Sequence, residues 1–223
     1  MPRRTGEPPS EAPTPDPTKD AIDGCRRCEL WKPATQGVTG EGPRSARVLL
    51  VGEQPGNDED LAGKPFVGPA GRLLRSLLEE AGLPDAEVFL TNAVKHFYYE
   101  LRGKRRIHKT PLQRHVAACH VWLEAELARA RPKVIVTLGG TALAAVLERR
   151  MSISAAREAR LVHEPTGTPV LATYHPSAVL RVPDAAARAA LRASLLADLK
   201  RARRVAIKRD KVPGRPGQEK GKS

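Results

Sequence analysis

Cysteine is scarce in this chain: three in 223 residues, an odd number that cannot close an even disulfide framework. Two of the three stand as Cys25-x-x-Cys28. In a reducing compartment that spacing reads as a metal or cluster site sooner than as a disulfide. No apolar run is long enough to cross a bilayer, and no charged-then-apolar leader precedes a small-residue cleavage site, so a soluble cytoplasmic protein is expected. Acidic residues are outnumbered, 25 against 38 basic ones, which leaves a formal net charge of +13. That imbalance points to nucleic acid or another anionic surface as partner and says nothing of fold. Two phosphate-binding signatures are also missing. Neither GxGxxG nor GxxxxGK[ST] follows the first expected strand, which argues against a dinucleotide or triphosphate loop.

What remains is one domain between two expected tails. Residues 1–17 carry six prolines and no apolar periodicity, and residues 207–223 are rich in Lys, Arg, Gly and Pro; both read as disordered. Residues 18–206 suit a single full-sized core. Short continuous apolar runs at 46–52, 88–94, 133–138 and 170–174 have the character of strands buried on both faces. Helical stripes lie between them. Leu73, Leu74, Leu77, Leu78 and Ala81 form one, stopped by Gly82-Leu83-Pro84. Val116, Cys119, Leu123 and Leu127 form another, on a helix expected to start with Thr110 as N-cap and Pro111 at its first position and to reach Arg131. Residues 141–147 give a short helix and 184–204 a last one. Strands alternating with helices imply an α/β fold, a three-layer α/β/α sandwich around a central four-stranded parallel sheet.

Glu53, Asn92 and His175 each follow an expected strand, so in such a sheet they converge on its carboxyl edge, where ligands bind. Taken singly these residues are ambiguous. Asn92 at a strand end also suits a turn bond, His175 a structural hydrogen bond and Phe66 a core position. The run Lys104-Arg105-Arg106-Ile107-His108-Lys109 falls in a long basic loop, from 95 to 109, that also bears Phe97, Tyr98 and Tyr99. A solvated basic loop would look the same.

The order of these motifs is more specific than any one of them. Gly52-Glu53-Gln54-Pro55-Gly56, Gly63-Lys64-Pro65-Phe66-Val67-Gly68-Pro69-Ala70-Gly71, Thr91-Asn92-Ala93-Val94-Lys95 and His175-Pro176-Ser177 together resemble the iron–sulfur uracil-DNA glycosylases, over about residues 21–205. Gln54, His96 and the Lys104-Arg105-Arg106-Ile107-His108 run resemble the UdgX branch of that superfamily. The resemblance implies uracil-containing DNA as substrate, single-stranded and possibly duplex, and a monomer is the simple expectation. A flipped base would be read on its hydrogen-bonding edge by the Asn92 carboxamide and stacked on Phe66. Gln54 and Asp60 would help shape the uracil pocket. His175 would donate to the departing base, and Glu53 would supply the anionic or basic role as positive charge grows on the sugar. Lys104, Arg105, Arg106 and Lys109 would contact phosphate. Ser177, Val179, Leu180 and Arg181 would follow His175 into the groove as an apolar wedge with a cation.

The resemblance also implies a [4Fe-4S] cluster held by Cys25, Cys28, His96 and Cys119, with His96 where four-cysteine relatives carry their third cysteine. Zinc accepts the same ligand types. In the UdgX branch the loop histidine, here His108, captures the sugar in place of water and leaves the protein covalently attached. A conventional multiple-turnover glycosylase, in which His108 only touches DNA, and a non-catalytic metal- or cluster-containing nucleic-acid-binding protein are the alternatives.

Overall fold

The structure is a computed structural model describing residues 15–210, so most of both expected tails lies outside the described residues. The strands are β1 (Val48–Gly52), β2 (Val88–Asn92), β3 (Tyr99–Arg102), β4 (Arg105–His108), β5 (Val134–Leu138), β6 (Leu161–His163) and β7 (Thr168–Thr173). The helices are α1 (Lys19–Asp23), α2 (Asn57–Ala62), α3 (Pro69–Glu80), α4 (Gln113–Ala130), α5 (Gly140–Leu147), α6 (Ile153–Glu158), α7 (Pro176–Arg181) and α8 (Ala185–Asp210).

The four expected strands form the parallel part of one sheet, in the order β2-β1-β5-β7. Each is buried along nearly its whole length, and side-chain alternation sends successive residues to opposite faces. Leu49, Val51 and Ile135 pack toward α4, α5 and α6, while Val48, Leu50, Val134 and Val136 pack toward α3 and α8. Those two cores make the three layers. The sheet has a fifth member that the sequence did not suggest: β6, three residues long, adds antiparallel to β7 at the edge.

Three further differences bear on function. The basic loop is mostly a hairpin, β3 paired antiparallel with β4 through Tyr99–His108, Glu100–Ile107, Leu101–Arg106 and Arg102–Arg105. Gly103, at φ 59°, opens its two-residue turn, the position where a type II′ loop needs a left-handed residue. Helix α4 starts two residues after Pro111, with Leu112 rather than Thr110 in the N-cap position. The Lys109 amide and carbonyl are tied to the base of the hairpin, so helical geometry begins only beyond it. Helix α8 continues past the expected end at 204 because Ala202 and Ala206 keep its buried stripe going.

Candidate active site

Glu53, Asn92 and His175 meet at the carboxyl edge of the sheet, as parallel topology requires. Asn92 ends β2 directly beside Gly52, the last residue of β1. A Cβ on Gly52 would lie 2.3 Å from Asn92 Oδ1 and 2.7 Å from Phe66 Cζ, so only glycine lets the carboxamide and the ring approach each other here. Phe66 itself takes a left-handed backbone, φ 55°, an uncommon conformation for a bulky residue that aims its ring into this space. Its ring lies 6.4 Å from the His175 ring at 27° between planes. Among the described residues the Asn92 carboxamide accepts and donates no hydrogen bond, yet its atoms are not sealed from solvent. An aromatic face, a free amide edge and an imidazole thus border one opening.

His175 has a defined tautomer. The Ser177 amide donates to its Nδ1 (3.2 Å), and the Ser177 hydroxyl lies 2.8 Å from the same nitrogen. Nδ1 is therefore the acceptor, and the proton sits on Nε2. Burial pushes the His175 pKa down to about 4, helped by the positive field of Arg181 and by His108, so the ring is neutral at pH 7. The result is a neutral N–H donor. Ser177, expected at the DNA, instead fixes this ring.

The hairpin brings His108 to the same edge. His108 Nε2 lies 3.6 Å from Glu53 Oε1, and Phe97 flanks the ring with centroids 6.0 Å apart. Burial holds the His108 pKa below its ordinary value, Arg181 adds to that and Glu53 opposes it. The other carboxylate oxygen, Glu53 Oε2, accepts a 2.5 Å bond from Thr141 Oγ1 at the start of α5. Thr141 carries no motif and escaped the sequence reading.

Two residues expected to help shape the uracil pocket hold the hairpin. Gln54 Nε2 donates to Tyr98 O (3.1 Å) and Lys109 O (2.9 Å), and its Oε1 accepts from Tyr98 N (3.1 Å). Its carboxamide edge is thus committed to the two ends of the hairpin, leaving it no free edge for a base. Asp60, fully buried, accepts from the Thr35 amide (3.0 Å) and from Arg106 Nη1 (2.6 Å). Arg106 also donates to Asn57 Oδ1 (2.8 Å) and stacks over Tyr99, so this expected phosphate contact is an inward anchor. Lys109 is paired with Glu100 (3.1 Å). Lys104 and Arg105 at the turn, and Arg181 on α7, are exposed cations with no partner among the described residues. Leu180 beside Arg181 is exposed and Val179 is buried.

Beneath Asn92 lies a buried ion pair that the sequence hid in its basic loop. Lys95 Nζ contacts Glu126 Oε2 (2.7 Å), Thr91 Oγ1 (2.7 Å) and Asn92 O (2.9 Å). Glu126 also accepts from Thr91 Oγ1 (2.6 Å) and the Gly40 amide (2.8 Å). Each charge is satisfied, and the strand end carrying Asn92 is fixed from below.

Of the four expected cluster ligands, the three cysteines lie where the N-terminal loop meets α4. The Cys28 and Cys119 thiols hydrogen-bond; the contact lowers Cys28 to about 6 and, with burial, raises Cys119 well above the ordinary range. Cys25 Sγ accepts from Trp122 Nε1 at 3.3 Å, one turn along α4 from Cys119. The backbone of Lys95, the residue before His96, hydrogen-bonds to Cys119, and burial keeps the His96 imidazole below its ordinary pKa. Among the described residues no three such donors converge on one point as single-ion ligands. Soft thiols and an imidazole are ligand types that both an iron–sulfur cluster and zinc accept.

The family model for the uracil DNA glycosylase superfamily matches residues 39–200. The chain is 35% identical over 196 residues to the type-4 uracil-DNA glycosylase of Sulfurisphaera tokodaii, covering 85% of this chain and 83% of that protein. It is 37% identical over 163 residues to the type-4 uracil-DNA glycosylase of Thermotoga maritima, covering 73% and 81%. A type-5 uracil-DNA glycosylase of Pyrobaculum aerophilum is 30% identical over 174 residues, covering 71% and 74%. With more than half its length matched by the family model, this chain belongs to the uracil-DNA glycosylase superfamily.

Proposed function

We propose that this protein excises uracil from DNA and is captured by its own product through His108. One observation carries the reading: a neutral imidazole stands 3.6 Å from a carboxylate at the edge of the base pocket, on a hairpin clamped in place.

A flipped uracil stacks on Phe66 and presents its imide edge to the free Asn92 carboxamide. The bond from C1′ to uracil N1 breaks, and its electron pair leaves with the base. His175 Nε2–H donates to the uracil carbonyl on which this negative charge collects, and as a neutral donor it fits an anionic leaving group without forming a tight ion pair first. Positive charge on the sugar faces the Glu53 carboxylate, held by Thr141. A lone pair of His108 then forms the C1′–N bond. Overall, one proton passes from the His108 ring, by way of Glu53, to the released uracil. The product has no good leaving group at C1′, so the protein stays attached. Lys104, Arg105 and Arg181 supply phosphate contacts. Cys25, Cys28, Cys119 and His96 would hold a [4Fe-4S] cluster, which when bound cross-links the N-terminal loop to α4 and to the strand end below Asn92.

The test is a uracil-containing oligonucleotide mixed with the protein, heated and run on a denaturing gel. A band at the summed mass, one per protein molecule, is expected. His108→Ser should remove the band and turn uracil release into multiple turnovers. Cross-linking by the serine variant, or many turnovers by the wild type, would refute the His108 step. Visible iron–sulfur absorption that is lost on Cys119→Ser checks the cluster.

A further inference from the structure

Leu101 is the most exposed of the large hydrophobic side chains among the described residues, at 66%. It projects from the tip of a hairpin whose base is held by Gln54, Arg106 and a 2.7 Å bond from the Tyr99 hydroxyl to Pro33 O. A tip this firmly anchored is not a fraying loop, so the leucine is displayed rather than left over. Its face is defined by the pairing. Leu101 is opposite Arg106 and Tyr99 is opposite His108, so all four side chains share one side of the hairpin. Arg106 on that side is turned inward to Asp60, which leaves Leu101 and His108 as its exposed members. Leu101 is two residues beyond Tyr99, about 7 Å along the strand at ~3.3 Å per residue. That equals roughly two nucleotides at 3.4 Å per step along one strand.

We propose that Leu101 packs on a nucleotide of the substrate strand about two positions from the uracil, and that the hairpin tip thereby reads a flank of the site. The inference rests on the reading above, because it takes the strand to pass His108. Charge complementarity favours DNA as the occupant: Lys104 in the turn and Arg105 on the opposite face of the hairpin are exposed and unpartnered among the described residues, so the leucine is displayed on a cationic tip that phosphates would approach. The contact would act on every sequence equally and require only an unpaired or exposed flank, so it would favour single strands over duplex.

A double-substitution test decides it. Leu101→Ser is combined with uracil oligonucleotides carrying a base-less tetrahydrofuran residue at each of positions one to four on either side. Equilibrium binding by anisotropy and single-turnover uracil release are both measured. The expected result is a loss of about three- to tenfold for Leu101→Ser on the intact single strand, the scale for exposing part of a leucine. The same loss should follow from removing the base at one position near two from the uracil, with no further loss when the two changes are combined. Losses that simply multiply at every position, or a serine variant equal to wild type on all substrates, would overturn the inference. A wild type that binds but releases no uracil would defeat the reaction proposed above, while the binding coupling would still decide the role of Leu101.

Discussion

Arg106→Met should convert part of the trapped product into free abasic DNA. Arg106 contributes a 2.6 Å bond to buried Asp60, 2.8 Å to Asn57 and 3.3 Å to Thr35, with only 17% of its side chain exposed. A bond to a charged group contributes about 1.5–3 kcal/mol, and the longest of the three contributes little, so the hairpin loses about 3 kcal/mol of attachment. That is roughly a 100-fold rise in the population in which His108 has left the sugar. Methionine keeps the stem length and the packing against Phe97 and Tyr99, so the base pocket should survive. In a single-turnover reaction on denaturing gels, total uracil release should stay within about threefold of wild type, while abasic DNA lacking attached protein rises about 100-fold. Adding Gln54→Ala removes three more hairpin bonds and should make turnover dominant. The salt dependence separates an anchor from a phosphate contact. The slope of log affinity against log salt should be unchanged in Arg106→Met and should fall by about 1.4 in Lys104→Ala/Arg105→Ala, at ~0.7 per phosphate on a single strand. A flattened slope in Arg106→Met, or adduct and uracil release falling by the same factor, would show that the arginine acts on DNA and that the clamp argument is wrong.

Thr141→Val removes the 2.5 Å donor to Glu53 and should slow uracil release by about tenfold or more, with Thr141→Ser restoring it; an unchanged rate in the valine variant would exclude the positioning role. The pH profile of adduct formation should be flat near pH 7 and fall only at pH below the ordinary imidazole range, because a protonated imidazole has no lone pair and burial holds the His108 pKa under its usual value. Uracil release by His108→Ser should lack that limb. Lys95→Met strands buried Glu126 and should cost about 3–5 kcal/mol, which is of the order of 10 °C in Tm, whereas Lys95→Met/Glu126→Leu should recover most of the loss; calorimetry on both checks it.

Much of this site was legible because parallel topology does the placing. Continuous apolar runs mark the strands, and whatever follows them reaches one edge, so Glu53, Asn92 and His175 could be grouped before any coordinates. The partners of Gln54, Asp60 and Arg106 could not. An arginine between other basic residues looks like a phosphate contact because its buried carboxylate lies 46 positions away. Lys95 was hidden for the same reason, its partner Glu126 being on the far side of a helix start. The hairpin was masked by its own chemistry. Its strands are four residues each with mixed polar and charged side chains, so no period-two apolar pattern announces them. Three-residue β6 is too short for any pattern.

On the proposed reaction, the division between sheet edge and hairpin decides between turnover and attachment. The groups proposed to break the glycosidic bond (Glu53, Asn92, His175 and Phe66) sit at the strand ends of the sheet edge or on the loops that follow them. His108, the proposed nucleophile, arrives instead on the β3–β4 hairpin, held by separate contacts to Gln54 and Asp60. Water near the sugar is about 55 M, while a well-oriented neighbouring group acts at an effective concentration of about 10⁵ M or more. With the hairpin closed the histidine wins by at least three orders of magnitude, and its greater nucleophilicity only widens the margin. The outcome is therefore set less by the chemistry of the pocket than by the fraction of time the hairpin stays docked when the sugar cation forms. Gln54 and Asp60, the latter in α2, lie in the same segment between β1 and α3 that carries Glu53 and Phe66, so the contacts that dock the hairpin come from the segment that lines the base pocket.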